Sequence, residues 1–142
     1  MRKTLTALLI GLSATSASAA DFLMFRHPAC GCCMAWVKHL EEAGHQVRIR
    51  NTEAMAAVKE RVGVPANAAS CHTAIVEQYV IEGHVPVAEI ERLLEERPDA
   101  RGLAVAGMPV GSPGMEHGDH VQPYEVLLIA KDGNTSVWSR HG

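Results

Sequence analysis

Aromatic residues are scarce in this chain: two Phe, two Tyr and two Trp among 142 residues. A core of ordinary size therefore has to come largely from aliphatic side chains. A basic surplus is missing too, since 13 Lys and Arg stand against 16 Asp and Glu for a net charge of −3. That balance excludes the positive field on which nucleic-acid binding depends. Beyond the first twenty residues no apolar run is long enough to cross a bilayer. The sequence shows no internal repeat and no composition break that would divide residues 21–142 into two domains.

What is present at the start is an export signal. Arg2 and Lys3 precede the apolar stretch "TLTALLIGL", and Ala17-Ser18-Ala19 fits the small-x-small cleavage rule. The expectation is a signal peptide over residues 1–20, cut after Ala19 or Ala20, and a soluble domain over 21–142 in the periplasm. No cysteine stands at the cleavage site, so no lipid anchor is indicated.

The chain is rich in metal-binding side chains, with eight His, six Met and four Cys. Three of the cysteines, Cys30, Cys32 and Cys33, crowd into "ACGCCMAW", and the fourth, Cys71, lies far along the chain. An oxidising compartment makes two staples the default. The spacing argues otherwise, because a Cys30–Cys33 bond closes almost no loop and so constrains the unfolded chain little. Redox chemistry, metal binding and stapling all remain open at this point.

The order of elements narrows the choice. "DFLMF" reads as a buried strand, and the helical spacing of Trp36, Val37 and Leu40 predicts a helix from Gly31 to about Ala43. "HQVRIR" alternates as a second strand. A second helix is expected after a cap at Asn51 or Thr52, with Met55, Val58 and Val62 on one stripe. Thr73–Val76 and Tyr79–Ile81 form a hairpin around Glu77-Gln78. A third helix starts with Pro86 in its first turn, carries Val87, Ile90, Leu93 and Leu94, and stops before Pro98. Residues 102–123 are Gly- and Pro-rich and read as one long loop, followed by a hairpin turning at Asp132-Gly133. The fold class is α/β: a thioredoxin-like mixed sheet with flanking helices, plus a C-terminal Gly/Pro/Met loop and β-hairpin.

Cysteines at a strand-to-helix junction meet free backbone N–H groups and the positive end of the helix dipole, which favour thiolate. A pair such as Cys30 and Cys33 is both a redox couple and half of a metal site. Counted as helix, Cys32 sits about 200° around from Cys30 and joins them only if the cap geometry turns it inward. Cys71 begins the third strand, beside the motif, where thioredoxins usually carry a proline that grips substrate backbone. A sulfur in that place suits a metal better than a peptide. Met108 and Met115 lie in a loop with no helical stripe to bury them, and thioether with thiolate selects Cu(I) over zinc. His117 and His120 are weaker candidates. His39 is expected to be solvated, His27 sits next to the motif, and His45, His84 and His141 offer no case.

Three blocks, "CGCCMAWVKHLEEAG", "SCHTAIVEQYVIEGHVP" and "GLAVAGMPVGSPGME", together resemble the CopG-type copper-resistance proteins, an exported metal-binding family distinct from the DNA-binding repressor of the same name. The resemblance implies a thioredoxin-like fold, a periplasmic location and copper handling, with exchange between copper oxidation states in some members. Cys30, Cys32, Cys33 and Cys71 fall on the family's cysteine positions, and Met108 and Met115 on those of its Met-Pro-x-Gly-Ser-Pro-Gly-Met loop. Ala106 departs from the expected proline. The implied ligand is Cu(I), held by several thiolates in a multinuclear site with the Met loop as lid. Other periplasmic copper-handling proteins are the implied partners. The alternatives are a thiol-disulfide oxidoreductase using Cys30 and Cys33, and a zinc- or disulfide-stapled module that binds a partner.

Overall fold

The computed structural model describes residues 18–142. The expected signal segment, apart from its last three residues, lies outside them. Seven strands form one mixed sheet in the order β2-β1-β3-β4-β5-β6-β7. β1 (Asp21–Arg26) runs parallel to β2 (Gln46–Asn51) and antiparallel to β3 (His72–Val76). β3 turns tightly into β4 (Tyr79–Glu82). β5 (Gly102–Ala104) is parallel to β4, and β6 (Tyr124–Ile129) with β7 (Thr135–His141) completes the sheet as an antiparallel hairpin. The helices are α1 (Gly31–Glu42), α2 (Met55–Val62) and α3 (Val87–Glu96).

The core follows the sequence periods. α1 buries Cys33, Trp36, Val37 and Leu40, while alternate residues of β1, Phe22 and Met24, face the same core. Scarce aromatics are used where a polar tip finds a partner. The Trp36 indole donates to the Val85 carbonyl at 2.9 Å, and the Tyr79 hydroxyl to the Pro98 carbonyl at 2.9 Å. α3 adds Ile90 and Leu93.

Three expectations need correction. The stretch 102–123 is not loop throughout, because Gly102, Leu103 and Ala104 form β5 and are buried. An apolar run of three residues is too short to show a period, and tertiary pairing decides it. A glycine is required there: a Cβ on Gly102 would meet the Val80 carbonyl oxygen at 1.8 Å. α2 begins later than its caps suggested, with Ala54 in the cap position and Thr52 Oγ1 accepting from the Ala54 N–H at 3.1 Å. Pro86 is the N-cap of α3 rather than its first helical residue.

The remaining loop is folded back on itself by backbone bonds. Gly111 N–H donates to Met115 O at 2.9 Å, Met115 N–H to Ser112 O at 2.8 Å, and Gln122 N–H to Val110 O at 2.9 Å. Gly107 N–H donates to Ala69 O at 3.1 Å, and the Ser70 hydroxyl donates to Gly107 O. Both contacts tie the loop to the segment just before Cys71. Gly114 lies flat on α1: with φ at +86°, its Cβ would be 2.6 Å from the Trp36 nitrogen.

Candidate metal centre

The four cysteines converge. Cys30 is the N-cap of α1, and Cys32 and Cys33 occupy its first turn. Cys71 comes from the residue before β3, the strand next to β1 in the sheet. All four sulfurs lie within 4.8 Å of one another. Cys30 and Cys32 are 3.5 Å apart, Cys32 and Cys71 4.0 Å, and Cys33 and Cys71 3.8 Å. Cys30 and Cys33 are joined as a disulfide, leaving Cys32 and Cys71 as free thiols.

Cys32 joins the cluster because Cys30 is not helical. With φ −81° and ψ 97°, Cys30 has extended backbone, so the helical angle between the two does not apply. The turn that presents Cys30 is held from outside. The Arg26 guanidinium donates to the carbonyls of Cys30 and Pro28, and Cys30 N–H donates to His27 O at 3.0 Å. His27 is exposed, and its Nδ1 accepts from the Ala29 N–H at 3.1 Å.

Two histidines, both buried, stand against Cys71. His84 Nε2 lies 3.1 Å and His72 Nδ1 3.3 Å from its sulfur. His84 Nδ1 donates to the Pro113 carbonyl at 2.8 Å, which leaves Nε2 unprotonated and facing the thiol. A carbonyl on the far nitrogen is the usual way a ligating imidazole is oriented. The His72 ring sits between Trp36, at 4.5 Å between centroids, and His84, at 5.0 Å. Cys71, His72 and His84 thus form a second group of donor atoms that shares Cys71 with the first.

Burial sets the charge state of this corner. It pushes the Cys71 thiol up to about 11, helped by Cys32 beside it. It pushes His72 down to about 3, with His84 and Lys59 adding to the effect. His84 is lowered too, chiefly by burial, against the opposing influence of Pro113 and Glu116. A metal-free site therefore holds neutral imidazoles and a protonated Cys71. A cation entering it exchanges for that proton. Four sulfurs and two neutral imidazoles are soft and borderline donors, without a carboxylate in either group, and they fit a thiophilic metal ion.

Behind Cys71 sits a buried carboxylate. Glu82 accepts from the Ser70 N–H at 2.8 Å and the Thr73 hydroxyl at 2.6 Å, and pairs with Lys59. These bonds fix the segment that carries Cys71.

The other sequence candidates are placed differently. Met108 is 50% exposed and follows Gly107, the residue tied to Ala69 and Ser70. Met115 is half-buried and follows Gly114, which packs on α1. His117 and His120 are exposed and bridge to each other. Neither belongs to a potential metal-holding group among the described residues. The His39 side chain is 39% exposed, in line with the expectation that it is solvated, and its Nε2 also pairs with Glu116 at 2.6 Å, linking α1 to the loop.

His72 and His84 were missed as donors. The signal was in the hairpin register. A two-residue turn at Glu77-Gln78 pairs Val76 with Tyr79 and Thr73 with Glu82. Two rungs further out, Cys71 falls opposite His84.

Comparison with known proteins finds relatives over most of the chain. Residues 68–115 match a family described as "Protein of unknown function, DUF411", a span containing Cys71, His72, His84, Met108 and Met115 but not the α1 cysteines. Two solved structures resemble most of the chain. "Copper resistance protein copG- Form 2" is 44% identical with a TM-score of 0.84, over 88% of this chain and 100% of that one. "Copper resistance protein copG- Form 1" is 44% identical with a TM-score of 0.83, over 87% and 98%. No curated protein matches the chain.

Proposed function

The chain belongs to the family of copper resistance protein CopG, and from that premise we propose that it is a periplasmic copper-handling protein that binds Cu(I) at its cysteine cluster. The observation that carries this reading is the convergence of four sulfurs within 4.8 Å. Strand order β2-β1-β3-β4, with cysteines at the first strand-to-helix junction, supports the reading of a thioredoxin-like frame for the site.

Cys30, Cys32, Cys33 and Cys71 are the thiolate ligands, and they bridge more than one Cu(I) because each sulfur has several lone pairs and close neighbours. His84 Nε2 and His72 Nδ1 extend the ligand set on the Cys71 side. Met108 and Met115 supply thioethers from the loop that covers the site, while His117 and His120 stay outside it. Copper is the cargo here, and other periplasmic copper-handling proteins would deliver or receive it.

The disulfide makes the site redox-gated. In the Cys30–Cys33 bonded state two of the four sulfurs are tied to each other and bind metal poorly. Taking up two electrons and two protons returns them as thiols, and copper binding then displaces the protons. The same thiolates give electrons to Cu(II), two ions being reduced to Cu(I) for each disulfide formed. This supports copper redox turnover within the binding role.

Anaerobic loading of the reduced protein with Cu(I), desalting and elemental analysis test the proposal. More than one copper per chain is expected. No retained copper, or equal retention by a Cys30→Ser, Cys71→Ser double variant, overturns it. Met108→Leu with Met115→Leu is expected to lower retention, whereas a zinc-held or stapled module would be indifferent.

The disulfide itself favours one second reading, a thiol-disulfide oxidoreductase with Cys30 attacking and Cys33 resolving. Insulin reduction by metal-free protein at a rate typical of thioredoxins would establish it. A Cys71 sulfur 3.8 Å from Cys33 and 4.0 Å from Cys32, in place of a peptide-gripping proline, speaks for metal.

A further inference from the structure

At the start of β1, opposite its cysteine end, a buried histidine faces the chain just before the strand. Ala20, immediately before β1, donates its backbone N–H to His45 Nδ1 at 3.1 Å. Its carbonyl accepts from the Gln46 N–H at 2.9 Å. His45 is a polar side chain in an apolar place: 5% exposed, with the Phe22 ring 5.6 Å away edge-on. Its other nitrogen, Nε2, faces Glu91 at 3.3 Å. That arrangement defines the tautomer, with Nε2–H donating to the carboxylate and Nδ1 left as an acceptor directed at Ala20. Ser18 and Ala19 are exposed, and they line the mouth of a cleft of about 590 Å³ between the start of β1 and α3.

We infer that the leader is cut between Ala19 and Ala20 and that the new α-ammonium group is captured by the His45–Glu91 pair. This rests on the export reading above and decides what the sequence left open, Ala19 or Ala20. A cut after Ala19 turns a single amide donor into an ammonium group at the same place, strengthening its bond to His45 Nδ1, whose ring Glu91 polarises from the far nitrogen. A cut after Ala20 removes the donor and leaves a buried imidazole acceptor unpaired. The other charges at the cleft are already committed: Arg97 to Glu77 at 2.7 Å, and Arg92 to Glu96 at 2.7 Å. Glu91 is held by His45 at 3.3 Å, and Glu95 also lines the cleft.

The test uses the full chain, expressed in a secreting bacterium and purified from its periplasm. Intact mass and N-terminal sequencing are expected to give Ala20 as the first residue. A first residue of Asp21 or later overturns the inference while leaving export intact. A chain that keeps its leader overturns the export reading and the inference together, and the larger mass tells the two failures apart. Capture is read separately by reductive methylation of the α-amine at neutral pH. His45→Asn keeps an acceptor near Nδ1, and His45→Leu removes it. The wild-type protein and the Asn variant are expected to label several-fold more slowly than the Leu variant. Equal rates in all three overturn the capture, with the wild-type mass result standing even if a variant fails to fold.

Discussion

Two regions of this molecule are rich in metal donors, the corner around Cys71 and the loop from Glu116 to His120, and they are organised in opposite ways. At Cys71 the donors come from α1, from β3 and from the residue after Gly83, and each is held by something else. Pro113 orients His84, Trp36 packs on His72, and Glu82 fixes Ser70. In the loop, His117 and His120 are exposed and partner mainly each other. The same residue types therefore differ in what they can do. A buried, oriented imidazole loses little freedom on binding a metal and has no water to compete with it, whereas an exposed one must be ordered first.

The sharpest way to break this contrast is Cys71→Ser. Cys71 is shared by both donor groups, so its loss is expected to abolish most copper retention, measured by elemental analysis after anaerobic loading. Next in size is His84→Leu, which takes away one oriented donor and keeps the thiolates. Copper affinity is expected to fall roughly 10–100-fold, the scale seen when metal-site supports are removed, measured by competition with a Cu(I) chelator.

A smaller effect tests the hairpin that follows the loop. Trp138 Nε1 donates to Glu89 at 2.8 Å and His141 Nε2 lies 2.9 Å from it, latching β7 to α3. Burial pushes the Glu89 carboxyl up, but bonds from Ser139, Trp138 and His141 outweigh it and hold the pKa below its usual 4.5. A carboxylate depressed by folding stabilises the fold above that usual value, and this contribution disappears as pH falls through the lower folded one. The thermal midpoint is expected to drop on acidification below about 4.5, and less steeply in Glu89→Gln. Last comes a null effect: His117→Ala with His120→Ala is expected to leave copper stoichiometry within experimental error, and a clear loss would remove the distinction between the two regions.

Much of the frame was legible. The helical spacing of Trp36, Val37 and Leu40, the alternation of "HQVRIR" and the two-residue turn at Glu77-Gln78 each follow from a local period. β5 was not legible, because Gly102-Leu103-Ala104 is a strand only through its neighbours β4 and β6. Of the candidate donors, the cysteines and the two loop methionines stood out by residue type and spacing. His72 and His84 did not, since a lone histidine beside apolar residues carries no mark of what it faces.

The sequence alone determined the α/β order of elements, the clustering of Cys30, Cys32 and Cys33 at a helix start, and the presence of a distant fourth cysteine. These depend on local chemistry and spacing, which a chain carries whether folded or not. Only the tertiary structure decided that Cys32 turns inward, that Cys71 joins the other three within 4.8 Å, and that His84 rather than His117 stands beside it. Those outcomes depend on strand register, on burial and on a carbonyl acceptor in a loop 29 residues away, and each of them exists only once the sheet has formed.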